Sequence, residues 1–196
     1  MTPLQQFYEE IKDCRKCGLS KSRTHVVFGE GNPRAEIMFV GEAPGEKEDI
    51  QNRPFVGMAG KLLTDLLAGI GLKREDVYIA NVVKCRPPDN RNPQPDEIEA
   101  CKPYLWKQIE LIKPRVVCTL GNFAAQALLD KKVAITKVRG RHFQVRNFLV
   151  FPMLHPAAAL HQGNLRPALL EDFKNLKQFL GKGIEPAPQP EQMGFF

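Results

Sequence analysis

The chain has 196 residues, which suits one well-buried α/β domain and is short for two. Hydrophobic residues make up 43% and charged residues 26%, a composition that excludes a disordered, collagen-like or repeat-built chain. The formal net charge of +6 suits a polyanionic partner without by itself indicating one. No apolar stretch is long enough to span a bilayer and the N-terminus is too polar for a secretory signal, so we expect a soluble, cytoplasmic protein without a membrane partner.

The first predicted elements alternate between strands and helices. A short apolar run at 37–40 predicts a buried strand, and leucines at helical spacing over 62–70 predict a helix. A second strand is expected at 77–83. A second helix is expected at 95–112, because acidic residues occupy its first turn, where the helix dipole favours them.

The alternation continues to the end of the domain. We predict a strand at 115–121, a helix at 122–129, paired strands at 136–145 and 148–154, and a closing helix at 166–181. This order predicts an α/β fold in which helices cover a largely parallel sheet. Ligands of such sheets bind beyond the carboxyl ends of the strands.

Three long polar loops directly follow predicted strands: GEAPGEKEDIQNRPFVG, NVVKCRPPDNRNP and MLHPAAALHQGN. Glu42 follows Gly41 at the end of the first strand, where a carboxylate can orient or deprotonate a water. Phe55 could stack on a flat ring or pack as a lid. The amide of Asn81 could read the edge of a pyrimidine or hold a neighbouring backbone, and His155 could be catalytic or structural.

Five cysteines in a reducing compartment do not indicate a disulfide framework, and the odd number leaves one unpaired. Cys14 and Cys17 form a C-x-x-C pair, with Cys85 following after 67 residues and Cys101 after 15 more. Four thiolates suit either zinc or an iron-sulfur cluster, and the spacing does not choose between them. The alternative is that Cys85 and Cys101 are ordinary thiols. Cys118 lies in an apolar run and is expected in the core.

The motifs GEAPGEKED, RPFVGMAGKLL, NVVKCRPPDNRNP and MLHPAAAL resemble those of the family 4 uracil-DNA glycosylases, the iron-sulfur type. The resemblance runs from about Cys14 to Leu180. It implies a three-layer α/β/α fold with a central four-stranded parallel sheet. It also implies a four-iron four-sulfur (4Fe-4S) cluster with four ligands, Cys14, Cys17, Cys85 and Cys101.

The activity implied by the resemblance is that of a monofunctional uracil-DNA glycosylase. Such an enzyme flips uracil out of single- or double-stranded DNA and hydrolyses its N-glycosidic bond, leaving an abasic site and initiating base excision repair. Phe55 would stack on uracil and Asn81 would bond its N3 and O4 edge. Gly41 and Ala43 would belong to the same substrate pocket.

In its catalytic residues this chain differs from the best-known uracil glycosylases. Those enzymes place a water-activating aspartate where this chain has Ala43, so we expect Glu42 to orient or deprotonate the water. Glu48 and Asn90 are helpers or rivals, and Glu48 could instead form the wall that rejects the methyl group of thymine. His155 would stabilise the departing uracil anion at O2.

DNA contacts follow from the same resemblance. Leu160 would enter the gap left by the flipped nucleotide, and Arg86 and Arg91 lie in a loop expected to bind phosphates. Relatives that trap uracil DNA covalently carry a basic insertion ending in histidine, whereas this chain reads CRPPDNRNPQP there. A covalent product is therefore not expected.

The predicted domain covers 1–182, and the Pro-rich segment 183–196 reads as a flexible tether. Gln192 to Phe196 resemble the Gln-x-x-aromatic peptides by which bacterial repair proteins dock on the sliding clamp, the alternative being two incidental phenylalanines. We expect a monomer associated with the nucleoid. Two other classes stay open: a noncatalytic iron-sulfur DNA-binding module and an electron-transfer protein, neither of which needs the polar residues at three strand ends.

Overall fold

The computed structural model describes residues 1–130 and 132–183. Within these ranges six strands form one mixed sheet in the order β1-β3-β2-β4-β6-β5. The strands are β1 Glu30–Gly31, β2 Ile37–Gly41, β3 Tyr78–Asn81, β4 Val116–Leu120, β5 Phe143–Val145 and β6 Phe148–Met153. The α-helices are α1 Pro3–Ile11, α2 Glu46–Gln51, α3 Met58–Gly69, α4 Pro95–Ile112, α5 Asn122–Leu129, α6 Ile135–Val138, α7 Pro156–His161 and α8 Arg166–Gly181.

Parallel pairing joins the inner strands β3, β2, β4 and β6, while β1 and β5 add antiparallel strands at the two edges. The predicted α/β class is confirmed. The implied strand count of four is corrected to six in a mixed sheet. Strand β1 was missed because it has two residues, too few for a period of two to be read, whereas β5 lies at the end of the strand predicted at 136–145.

Side chains alternate between the two faces of the sheet and are covered by different helices. Met38 and Val40 pack into a cluster with residues of α1 and α4, whereas Phe39 packs into a cluster with residues of α3 and α8. The core therefore has two halves separated by the sheet, and the site described below depends on which face each strand residue points to.

Three predicted boundaries differ from the structure. The predicted strand at 136–145 is wrong over its first half, where α6 forms, and only Phe143–Val145 is extended. Two of the polar loops contain the short helices α2 and α7. A helix of four to six residues spans less than two turns, so hydrophobic periodicity cannot identify it, and its stability comes from tertiary contacts.

None of the helices among the described residues has the length and apolar character needed to cross a membrane. The predicted clamp-binding peptide, Gln192 to Phe196, lies outside the described residues, as does the rest of the predicted tail apart from Gly183.

Candidate active site and cysteine cavity

The carboxyl ends of β2 and β3 bring three of the predicted site residues together. Gly41 lies opposite Asn81 in the parallel ladder. A Cβ atom built on Gly41 would lie 2.5 Å from Asn81 Oδ1 and 2.5 Å from Cζ of Phe55. Glycine is required at this position, because any side chain would displace either the aromatic ring or the amide.

His155 reaches the same place from the other half of the sheet. It follows β6, which is separated from β2 by β4. The rings of His155 and Phe55 are nearly parallel, with centroids 5.6 Å apart and planes inclined by 26°. All three predicted loops therefore meet around Phe55 at one end of the sheet.

Asn81 combines burial with an unused hydrogen-bonding group. The residue is 2% exposed, and its Oδ1 atom has no hydrogen-bond partner among the described residues. Leaving a buried acceptor unpaired costs about 1–3 kcal/mol. An acceptor held in this way is ready for a donor brought by a ligand.

His155 is positioned as a neutral hydrogen-bond donor. Its Nδ1 atom accepts a hydrogen bond from the backbone N–H of Ala157 at 3.1 Å, so the hydrogen of the neutral ring is on Nε2. Burial lowers the pKa of His155 to about 4. The ring is therefore uncharged near neutral pH, and its Nε2–H is available as a hydrogen-bond donor.

Glu42 carries the most perturbed carboxyl group near this edge of the sheet. Its backbone carbonyl accepts from the N–H of Val83 at 3.0 Å, which continues the β2–β3 ladder beyond Gly41. Burial raises the pKa of Glu42 to about 7, because the charged form loses hydration. A carboxyl group with this pKa exchanges protons readily at neutral pH, as a general base must.

The backbone of Phe55 is strained and is held by its neighbours. Its φ of 53° lies in the left-handed region, which a non-glycine residue adopts only at a cost. Arg74 donates to the carbonyls of Pro54 and Phe55 at 2.8 and 2.9 Å, and is itself paired with Glu30. A Cβ atom on Gly60 would lie 1.9 Å from the Phe55 carbonyl oxygen, so the close approach of α3 to this loop leaves no room for a side chain at position 60.

Two further predicted catalytic residues have their side chains engaged. One carboxylate oxygen of Glu48 accepts from the N–H groups of Val56 and Gly57 at 2.9 and 2.7 Å. These bonds tie α2 to residues 52–57, which we call the Phe55 loop. Asn90 is exposed, and its amide oxygen accepts from Arg86 at 2.8 Å.

The remaining substrate-pocket residue, Ala43, is half-buried and packs against the core. It follows Glu42 directly at the end of β2 and carries no group able to bind or activate a water.

The predicted DNA-contacting residues differ in whether their side chains are exposed or already paired. Leu160 is 40% exposed on α7. Arg86 has a long ion pair with Glu46, with 3.6 Å between Nη1 and Oε1. Arg91 is bound by both oxygens of the buried Glu97 at 2.9 and 2.7 Å, so its guanidinium shapes the loop.

Four cysteines line one small cavity that is partly open to solvent: Cys14, Cys17, Cys85 and Cys101. Cys118 is buried in the core, as predicted. Within the described residues, no three His, Cys, Asp or Glu side chains are grouped as they would be around a single metal ion. The thiols instead surround a space.

Hydrogen-bond donors surround these thiols. The hydroxyl of Tyr104 donates to Cys14 Sγ at 3.2 Å, and the backbone N–H of Lys84 donates to Cys101 Sγ at the same distance. Arg23 Nη1 lies 3.6 Å from Cys85 Sγ. Such donors stabilise ligated thiolates, so the donor set fits an anionic sulfur-ligated group.

Comparison with known proteins agrees with this geometry. A family model for the uracil DNA glycosylase superfamily matches residues 28–177. A type-4 uracil-DNA glycosylase of Sulfurisphaera tokodaii is 51% identical over 187 residues, which cover 91% of this chain and 85% of that protein. The chain belongs to the uracil-DNA glycosylase superfamily.

Two further relatives carry the same type-4 name. The Archaeoglobus fulgidus protein is 48% identical over 190 residues, covering 93% of this chain and 96% of the relative. The Thermotoga maritima protein is 51% identical over 178 residues, covering 89% of this chain and 93% of the relative. The resemblance to the family 4 glycosylases is therefore confirmed.

The structure also identifies supporting residues that sequence reasoning missed. Arg74 has no sequence signal, since its partners Glu30 and Phe55 are 44 and 19 positions away. Lys84 has one: it is a lysine that directly follows the apolar end of the strand predicted at 77–83 and directly precedes Cys85.

Proposed function

We propose that this member of the superfamily is a uracil-DNA glycosylase that releases uracil from DNA by hydrolysis. The observation that carries the proposal is the meeting of the Phe55 ring, the unpaired Oδ1 of Asn81 and the His155 ring at one end of the sheet. A noncatalytic DNA-binding module or an electron-transfer protein has no use for a buried amide oxygen left unpaired at the cost of stability.

Asn81 reads the base in this proposal. Its Oδ1 accepts the N3–H of uracil and its Nδ2 donates to O4, with Phe55 stacked on the ring. Cytosine has a lone pair at N3 and an amino group at C4, so the same amide would meet acceptor with acceptor and donor with donor. Discrimination against cytosine then follows from leaving buried groups unpaired.

His155 assists departure of the base. The bond between N1 of uracil and C1′ of the sugar breaks, and its electron pair leaves with the base as an anion delocalised onto O2. The Nε2–H of the neutral ring donates to O2, and contributions of this kind are worth about 10²- to 10³-fold in rate.

Glu42 completes the substitution. Its carboxylate orients a water toward C1′ and takes one proton as the oxygen bonds to the sugar, which leaves an abasic site. We assign Glu48 to holding the Phe55 loop. From that position its side chain can also form the wall of the pocket beside C5 of the base. We assign Asn90 a helper role through Arg86. No lysine nucleophile is required, so the proposed enzyme is monofunctional.

Contacts to DNA surround this pocket. Flipping a nucleotide costs a few kcal/mol, and an apolar wedge in the vacated space offsets part of that cost. Leu160 is our candidate for the wedge, and its exposure supports the assignment. We assign a phosphate contact to Arg86, and to Arg91 the shape of the loop that presents it.

We propose that the four cysteines around the cavity, Cys14, Cys17, Cys85 and Cys101, hold a four-iron four-sulfur cluster. The residues fit it, because four soft ligands and their hydrogen-bond donors line a common space. When bound, the cluster supplies covalent ties between the N-terminal segment, the loop after β3 and helix α4. These ties fix the loop that carries Arg86, and hydrolysis uses no redox step.

A cleavage assay tests the proposed activity. Oligonucleotides with one uracil, single- or double-stranded, are incubated with protein whose iron and inorganic sulfide content has been verified, and are then treated with alkali. We expect scission at uracil only after alkali, and none at cytosine or thymine. Scission before alkali would contradict a monofunctional enzyme, and intact strands after alkali would contradict the proposal itself.

We further propose that residues 1–182 form the enzyme, acting as a monomer on nucleoid DNA, and that 183–196 docks it on the sliding clamp through Gln192 to Phe196. Deletion of Gln192 to Phe196 should abolish pull-down by the clamp while leaving cleavage of a short oligonucleotide unchanged. Pull-down that survives the deletion would remove the docking assignment.

A further inference from the structure

Lys84 is a lysine with almost no contact with solvent, 1% exposed, between the cysteine cavity and Asn81. Its ammonium group donates to the backbone carbonyl of Asn81 at 2.7 Å and to the side-chain oxygen of Gln108. Gln108 is fixed in turn by donating to the carbonyl of Phe28 at 2.8 Å. The side chain of Lys84 therefore bonds to the residue that carries the unpaired amide.

The backbone of Lys84 belongs to the cysteine site. Its N–H donates to Cys101 Sγ at 3.2 Å, and the next residue in the chain is Cys85. Both cysteines line the same cavity as Lys84. One residue thus contacts the cysteine site through its backbone and Asn81 through its side chain.

Burial of an ammonium group is costly and normally requires an anionic partner. Among the described residues, Lys84 forms no ion pair with a carboxylate, and its two side-chain acceptors are neutral oxygens. The groups beside Lys84 that would be thiolates when holding a cluster are Cys85, the next residue in the chain, and Cys101, whose Sγ accepts from the Lys84 N–H. A methionine would fill the same volume without this cost, so packing alone does not explain a lysine here.

We propose that Lys84 is a positioning residue that links the cysteine site to recognition of uracil. Held by Gln108, its ammonium fixes the carbonyl of Asn81 and so presets the orientation of the Asn81 amide before the base arrives. This inference rests on the proposed function. It adds that the cysteine site contributes to base reading through Lys84.

The direct test is Lys84→Met, with affinity measured for an oligonucleotide carrying non-cleavable 2′-fluoro-deoxyuridine. Misplacement of a binding group by about 1 Å costs about 100-fold, so we expect a loss of that order for the uracil analogue. Affinity for DNA carrying a stable abasic analogue should not change, because no base is read there. The control is Lys102→Met, which also neighbours a cysteine but pairs at the surface with Asp130.

A double-mutant cycle separates positioning from general loss of structure. In an Asn81→Ala background, Lys84→Met should produce no further loss of uracil affinity, since the group it orients is gone. Iron content and visible absorption of each variant are measured in parallel. If Lys84→Met fails to retain iron, Gln108→Met provides the second variant, with an expected loss of about tenfold that also vanishes in the Asn81→Ala background.

The outcomes are distinct. Wild-type affinity for the uracil analogue in Lys84→Met, equal losses on the abasic analogue, or losses that add to those of Asn81→Ala would each overturn the role of Lys84. Failure of the wild-type protein to cleave uracil DNA would instead overturn the proposed function.

Discussion

Replacement of Glu42 by glutamine is expected to lower the single-turnover rate of uracil release by about 10²- to 10⁴-fold, the usual contribution of a positioned general base. Glutamine keeps the shape of the side chain but cannot take the proton of the attacking water. Burial raises the pKa of Glu42 to about 7, so the wild-type rate should fall roughly tenfold per pH unit below neutrality. The variant should lack this acid limb.

The pH profile identifies the group responsible. The pKa of His155, lowered by burial to about 4, keeps that ring neutral throughout the range in which Glu42 titrates. An acid limb near pH 7 therefore belongs to the carboxyl group. If Glu42→Gln retained the same limb with a reduced rate, the water would have to be activated by another residue.

The same substitution should stabilise the fold at alkaline pH. Because the folded-state pKa lies above the ordinary value of 4.5, the folded protein binds more protons than the unfolded chain between about pH 4.5 and 7. Wild-type stability attributable to Glu42 is therefore lost as pH rises through this window. At pH 8 we expect Glu42→Gln to melt above the wild type, whereas Glu10→Gln, an exposed change on α1, should alter neither melting nor rate.

Replacement of Asn81 by leucine should reduce cleavage of uracil DNA by about 10³-fold, because the pocket loses both groups that bind the base edge. Stability should change little or rise. The amide oxygen is already unpaired in the structure, and substituting an apolar group of similar shape removes a desolvated acceptor. The measurements are the single-turnover rate and the melting temperature of the same preparations.

Thr119→Val supplies the matched control. The hydroxyl of Thr119 is also buried and has no partner among the described residues. It lies on β4 next to Cys118, which packs on the same face as Phe55, so alternation directs Thr119 to the other face. This variant should be stabilised without loss of activity. If Asn81→Leu cleaved uracil DNA like the wild type, base recognition would have to be assigned elsewhere.

The sequence was sufficient to predict the α/β class and the residues at the strand ends, for a local reason. Buried strands appear as apolar runs, and a polar residue that directly follows one, such as Glu42 or His155, is carried to the edge of the sheet. Parallel strands bring their carboxyl ends to the same end of the sheet, so the three polar loops could be expected there before any coordinates. That Gly41 lies opposite Asn81 follows from the pairing of β2 with β3 in the structure.

Short elements and pairings lay beyond that reasoning. Helix α6 occupies half of a predicted strand because four residues carry no readable period. Arg91 was expected to bind phosphate, and only the structure shows its guanidinium bound by both oxygens of Glu97. Competition among nearby acceptors decides such pairings, and it depends on positions in space.

The sequence by itself determined the class of fold, the loops that carry the site and the four cysteines available as ligands, because strand periodicity and motif spacing are properties of neighbouring residues. Only the tertiary structure decided which polar groups are satisfied. It pairs Glu48 with the Phe55 loop, buries Lys84 against the carbonyl of Asn81 and leaves the Asn81 amide oxygen free. These outcomes depend on contacts between distant segments, where burial sets the cost of every unpaired group.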